Sequence, residues 1–263
     1  MHRILALRRV VSLTILAVLV LGTVGCNDYR VRFLYPRENR SDFFVERPDV
    51  ALYVAEPEDL RPSGQRNGSG FFSTLRFPAD DKLDQPPSRI VLRALLQDLN
   101  QTRVAALVRN PDNADYVLTS QLLSMTTRLE RPLRAWGVPL AAGLAVGGLS
   151  SIGSDGGLSH FLKTGAVGAV LGTMLPAPAV TTGEVRVRLE LRDRDTNDLV
   201  FETVCTGEYQ KTISLSLSAR EDQRIAEDFL PPALKRANAC AVGQLYAFLS
   251  DAQVEQPKVS RAD

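Results

Sequence analysis

The side chains in this 263-residue chain that could do covalent chemistry are few: Cys26, Cys205 and Cys240, and two histidines, His2 and His160. Serine or cysteine nucleophilic catalysis needs an imidazole beside a nucleophile held by rigid structure. Beyond Cys26 only His160 could supply it. It lies in a polar break, where a surface position is the simplest reading, and no G-x-S-x-G follows a strand pattern. HExxH and CxxC are absent, which removes the usual zinc ligand sets. Neither G-x-x-x-x-G-K-[ST] nor a strand-linked G-x-G-x-x-G is present, so nucleotide phosphates lack their usual cradle. The carboxylate pairs Asp80-Asp81 and Glu221-Asp222 are adjacent acids, which stay solvated or favour a helix dipole. The expectation is a protein with no catalytic residues, no metal site and no dissociable cofactor.

The rest of the composition is that of an ordinary globular chain: 44% hydrophobic, 23% charged, 6% aromatic, 18 Gly and 15 Pro. Its formal charge of +1 is unevenly placed, because Arg3, Arg8 and Arg9 precede Cys26 and no acid does. The 238 residues from Cys26 onward carry 28 basic and 30 acidic side chains, a charge of −2. Such a body gives no electrostatic reason to expect nucleic acid as a partner.

Residues 1–25 read as a targeting segment: a basic start, an uncharged apolar run over Val10–Gly22, then Thr23-Val24-Gly25-Cys26. The run is short for a bilayer span. Small residues ending in cysteine resemble a bacterial lipobox, departing from its usual Leu or Val at Thr23. That resemblance implies cleavage before Cys26 and acylation of its sulfur and new amine, the covalent lipid taking the place of a cofactor. Several acyl chains anchor a protein where one does not. The alternative is a plain signal peptide with an incidental cysteine. Asn27 rather than Asp follows the cysteine, which favours the outer membrane facing the periplasm over the inner membrane. Export leaves Cys205 and Cys240 as an even pair in a compartment that permits disulfides. They are a possible bridge between a strand and a helix, or two buried thiols.

The elements that position these residues follow from periodicity. Residues 26–49, punctuated by Pro36 and Pro48, read as a lipidated tether with at most a short strand at 30–35, and the folded domain is expected from Val50. Val50–Ala55 is a buried-strand candidate, Glu56–Gln85 a long loop, and 88–101 a helix capped by Ser88, with Val91, Leu95 and Leu99 on one stripe. Arg103–Arg109 and Tyr116–Leu129 are strand candidates. Over Glu184–Arg192, Val185, Val187, Leu189 and Leu191 alternate strictly with charged residues, which predicts a strand with one wet face. A polar turn over Asp193–Asp198 leads into its partner, Leu199–Thr212. Ala219–Ser250 is helical in period and is expected to be divided at Pro231-Pro232. The order predicts an α+β fold: a small, mainly antiparallel sheet with helices on one face, split into 50–132 and 183–252, with a disordered tail at 253–263.

Between the halves lies a glycine-rich apolar insertion, 133–182. Its runs 136–154 and 164–182 are uncharged and carry Gly143/Gly147 and Gly168/Gly172, each a GxxxG spacing that lets helices approach closely. It reads as a membrane-inserting or self-associating helical hairpin, as a hairpin packed on the protein's own sheet, or as a glycine-rich flap. The first of these makes the protein a possible homo-oligomer.

From Pro86 to Gly207 the order of features resembles the auxiliary lipoproteins of ABC-type lipid-transport systems, which accompany mammalian-cell-entry (MCE) domain proteins. The matching residues are the helix Ser88–Leu99, the strand start Asp115-Tyr116-Val117-Leu118, the strand Val185–Asp193 and its return Leu199-Val200-Phe201-Glu202. The layout is also similar to curli-secretion-like and penicillin-binding-protein-activator-like lipoproteins. The resemblance implies a non-catalytic envelope adaptor or assembly factor with a protein partner and a membrane anchor. The alternatives are an oligomeric, pore-forming or secretion-type lipoprotein, and an activator of a cell-wall synthase.

Overall fold

A computed structural model describes residues 30–37, 48–68, 75–76, 78–130, 141, 177–215 and 219–255. The fold is α+β, as the element order predicts. Its strands are β1 (Ala51–Val54), β2 (Glu58–Asp59), β3 (Leu75–Arg76), β4 (Ala106–Val108), β5 (Tyr116–Glu130), β6 (Ala177–Asp193) and β7 (Leu199–Leu215). Its helices are α1 (Ser63–Arg66), α2 (Pro87–Thr102) and α3 (Ala219–Glu255). All seven strands join one sheet of order β4-β1-β5-β6-β7, with β2 and β3 also paired to β5. The long β5-β6-β7 ribbon is antiparallel, whereas β1 runs parallel to both β4 and β5, and β2 parallel to β5. The sheet is therefore mixed and larger than expected, although its long pairings are antiparallel.

β6 forms because its alternation satisfies both faces at once. Val185, Val187, Leu189 and Leu191 are buried under the helices, while Arg186, Arg188 and Glu190 look the other way. β5 follows the same rule with a phase change. Leu118, Ser120 and Leu122 point inward, the pairing with β6 slips between Leu122 and Ser124, and Met125, Thr127 and Leu129 then point inward. One extra residue in a strand of period 2 has that effect.

The strand β6 begins at Ala177, so Ala177–Thr182, assigned above to the insertion, belong to the sheet, with Ala179 and Thr181 buried. The remaining insertion residues, including Gly143, Gly147, Gly168, Gly172 and His160, lie outside the described residues. So do Cys26 and the tail after Glu255. The long loop over 56–85 contains β2, α1 and β3, elements too short to show a period.

Two further expectations change. Ser88 does not cap α2; the helix starts with Pro87, which needs no N–H partner there, and Pro86 stands at the cap position without a side-chain bond. Arg103 closes α2 in the left-handed region (φ 55°), with its N–H on the Leu99 carbonyl. The helix α3 is not divided, since Pro231 and Pro232 lie inside it. Each interior proline costs about 3 kcal/mol or more. Burial of Ile225, Phe229, Leu230, Leu234, Leu245 and Leu249 on the sheet outweighs this, at about 1.5–3 kcal/mol per side chain.

The helix α3 lies close to the ribbon because glycine clears its path. A Cβ on Gly183 would come within 2.5 Å of the Phe229 carbonyl oxygen, and one on Gly207 would strike the Ala233 carbonyl oxygen and the Ala237 amide nitrogen. Ala233, Ala237 and Ala241, all buried, form the matching smooth stripe on the helix.

Candidate functional site

The sequence reading treats residues 26–49 as a tether with at most a short strand at 30–35, and residues 30–37 are folded onto the body. The Val31 side chain is 1% exposed, its N–H donates to the Lys82 carbonyl (2.7 Å), and its carbonyl accepts from the Asp84 N–H (3.1 Å). Gln223 and Glu227, four residues apart and so on one face of α3, hold the flanking backbone. Gln223 Nε2 donates to the Arg30 carbonyl (3.0 Å), and the Arg32 N–H donates to Glu227 Oε1 (2.9 Å).

Farther along, Tyr35 enters a buried polar cluster between the two long helices. Its hydroxyl donates to Asp98 Oδ2 on α2 and accepts from Asn238 Nδ2 on α3 (3.1 Å). Lys235 Nζ pairs with Asp98 Oδ1 at 2.5 Å and stands 5.4 Å from the centroid of the Tyr35 ring. Asp98 is 2% exposed and Asn238 1%. A buried charge needs such partners, because unpaired it would be strongly destabilising. The cluster ties the N-terminal segment to α2 and α3. A signal for it exists in the sequence. Asp98 falls on the stripe of Val91, Ala94 and Leu95, and a carboxylate there must find a cation.

A second polar cluster fixes the β2–α1 connection. Arg61, its side chain fully buried, grips Asp59 through Nε (2.9 Å) and Nη2 (2.8 Å) and reaches Asp80 (2.6 Å). Burial alone would raise the Asp59 carboxyl, but the Arg61 hydrogen bonds and charge outweigh it and hold it below the usual carboxylate range. The same two acids keep the Arg61 guanidinium protonated more firmly than its burial would allow. Asp80 and Asp81 are thereby separated, since Asp81 stays exposed, 3.9 Å from Lys82.

Cys205 of β7 and Cys240 of α3 are joined in a disulfide, with 6.0 Å between their Cα atoms. On the wet face Arg188 lies 3.3 Å from Glu202, and Arg192 lies 3.5 Å from Glu190, in an ion-pair ladder open to solvent. At the far end of the ribbon, the Asp193 carboxylate accepts the N–H groups of Thr196 (3.0 Å) and Asp195 (2.9 Å), which hold it below its ordinary range. Among the described residues there is no group of three or more His, Cys, Asp or Glu placed to hold a metal, and no helix long and apolar enough to cross a membrane.

No protein-family model and no curated protein matches this chain. Solved structures similar to it include a Xanthomonas campestris protein of the DUF330 family, at 10% identity and a TM-score of 0.43, covering 86% of this chain and 98% of that one. A putative neuraminyllactose-binding hemagglutinin homolog from Helicobacter pylori is 9% identical, with a TM-score of 0.41 over 86% of this chain and all of the other (100%). The lipoprotein GNA1162 from Neisseria meningitidis is 8% identical, with a TM-score of 0.29, covering 79% and 99% of the two chains.

Proposed function

We propose that this protein is a non-catalytic lipoprotein of the bacterial envelope, acylated on Cys26 and facing the periplasm from the outer membrane. In this reading it serves as an adaptor or assembly factor for an envelope-spanning lipid-transport complex. The observation that carries the proposal is the clasp at Arg30–Tyr35. It begins four residues after Cys26, so whatever is attached to that cysteine is coupled to the whole domain rather than trailing from a loose leader. The buried charges of the two clusters are paired with one another, which supports a structural role. The oxidised Cys205–Cys240 pair suits an exported protein.

The test is crosslinking in intact cells, followed by purification of the tagged protein and mass spectrometry. Recovery of an MCE-domain protein or an ABC permease with the wild type, and its loss with Cys26→Ser, is the expected result. Unchanged localisation and partners in Cys26→Ser would overturn the proposal. Recovery of the protein alone, as a ladder crosslinked through residues 136–180, would replace it with the self-associating reading.

A further inference from the structure

We propose that one pole of the molecule, where Arg30, the start of α3 and the ends of β5 and β6 meet, lies directly against a bilayer leaflet containing anionic phospholipid. The assignment rests on Cys26 being the acylated residue and adds to it an orientation. Chain length gives the first argument. Arg30, whose carbonyl is already held by Gln223, stands only four residues on from Cys26. Four residues reach at most about 14 Å when fully extended. The acyl chains therefore enter the leaflet close to this end of α3.

Topology gives the second argument. Glu130 ends β5 and Ala177 starts β6, so the glycine-rich apolar insertion leaves and re-enters the fold between them. Leu129 and Ala179, beside those ends, pack with Ile225 and Phe229 of α3. Gln223 is two residues from Ile225, so the anchored end of the chain and both roots of the insertion share one pole. Between Glu130 and the first uncharged run the sequence carries Arg131 and Arg134, and Trp136 opens that run. Basic side chains and an indole ring are residue types enriched in sequences that meet lipid headgroups.

Charge gives the third. The exposed charged side chains around the pole include Arg30, Arg32, Arg128 and Lys211, against Glu130 and Asp228. At the opposite end, the turn Asp193–Asp198 carries three acids and one arginine. β6 has 17 residues, which at about 3.3 Å per residue puts that turn some 55 Å from the pole. An anionic leaflet attracts the first end and repels the second.

The test uses the full chain, expressed and processed in a bacterium, with a photo-crosslinking amino acid at Thr212, an exposed position at the pole, or at Thr196 in the distal turn. Purified protein is placed in phosphatidylethanolamine vesicles with or without phosphatidylglycerol, and the mass of its N-terminal peptide is measured in parallel. The expected result is an acylated Cys26 peptide and phospholipid adducts at least about fivefold more abundant from Thr212 than from Thr196, falling when Arg128→Glu and Lys211→Glu are introduced. An acylated peptide with equal adducts from both sites, or with Thr212 crosslinked to a second copy instead of lipid, would overturn the orientation and leave the anchor standing. Adducts indifferent to phosphatidylglycerol and to the two substitutions would overturn the headgroup assignment. A peptide without acyl chains would overturn the anchor and the orientation together.

Discussion

Lys235 and Asp59 are the single residues on which the polar architecture is most sharply tested. Replacing Lys235 with Met leaves Asp98 buried with only the Tyr35 hydroxyl to meet its charge, and loss of one partner of a buried ion pair costs about 3–5 kcal/mol. Urea denaturation at pH 7 should show a loss of that order, and Asp98→Leu combined with Lys235→Met should recover part of it, because the orphaned charge is then gone. Asp59 predicts a pH dependence. Its carboxyl titrates below the ordinary value in the folded protein, so its stabilising contribution is complete above about pH 4 and is lost as pH falls through the folded value. The urea midpoint of the wild type should fall as pH is lowered from about 4 through the folded value, and Asp59→Asn should be less stable at pH 7 yet lose less on acidification. Neither cluster was read from the sequence. Arg61 and Asp80 are 19 residues apart, and Tyr35 and Asp98 are 63 apart, so no local spacing announces them. Asp98 alone was open to inference, as a carboxylate on a buried stripe.

At the level of elements, α3 on the β6–β7 hairpin is the contact that most tightly restricts its residues. Overpacking a well-packed interior costs about 1–3 kcal/mol, and at Gly207 the obstacle is helix backbone, which cannot rotate away. Gly207→Ala should therefore reach or exceed the top of that range in thermal or urea unfolding, whereas Gly243→Ala, with open space around it, should be neutral or slightly stabilising. The disulfide acts across the same contact. Closing a separation of 35 residues contributes roughly 2–4 kcal/mol, so the variant with both Cys205 and Cys240 changed to Ala should lose about that much in urea. The legibility of these elements followed their physics. β6 was plain because both its faces are decided by water, and α2 because its apolar stripe is long. β5 was readable as a strand, but its inward set changes parity at the bulge, which no uniform period shows. Pro231-Pro232 misled because a local rule worth several kcal/mol was weighed before the buried face that overrides it.

For the whole molecule, the register of the sheet closes without the insertion. Glu130 and Val180 are paired neighbours on β5 and β6, so a flexible loop of about five residues in place of residues 131–176, which keeps Ala177–Ala179 in the sheet, can join the two strands as a hairpin. Such a variant should keep its far-UV circular dichroism and a cooperative urea transition; loss of the transition would show that the insertion is part of the core. Composition made 26–49 look like a tether, since prolines and polar residues dominate it, yet Val31 and Tyr35 help fix residues 30–37 to the body. The direction in which that segment lies has a mechanical consequence. It runs alongside α3, from Gln223 at Arg30 to Lys235 and Asn238 at Tyr35. A pull applied at Cys26 is directed along the segment, so its fastenings are loaded together in shear instead of being peeled off one at a time. A domain hung from a membrane in this way resists detachment with the summed strength of the joint, and single-molecule force spectroscopy should find its first rupture weakened when Tyr35→Ala removes the innermost fastening.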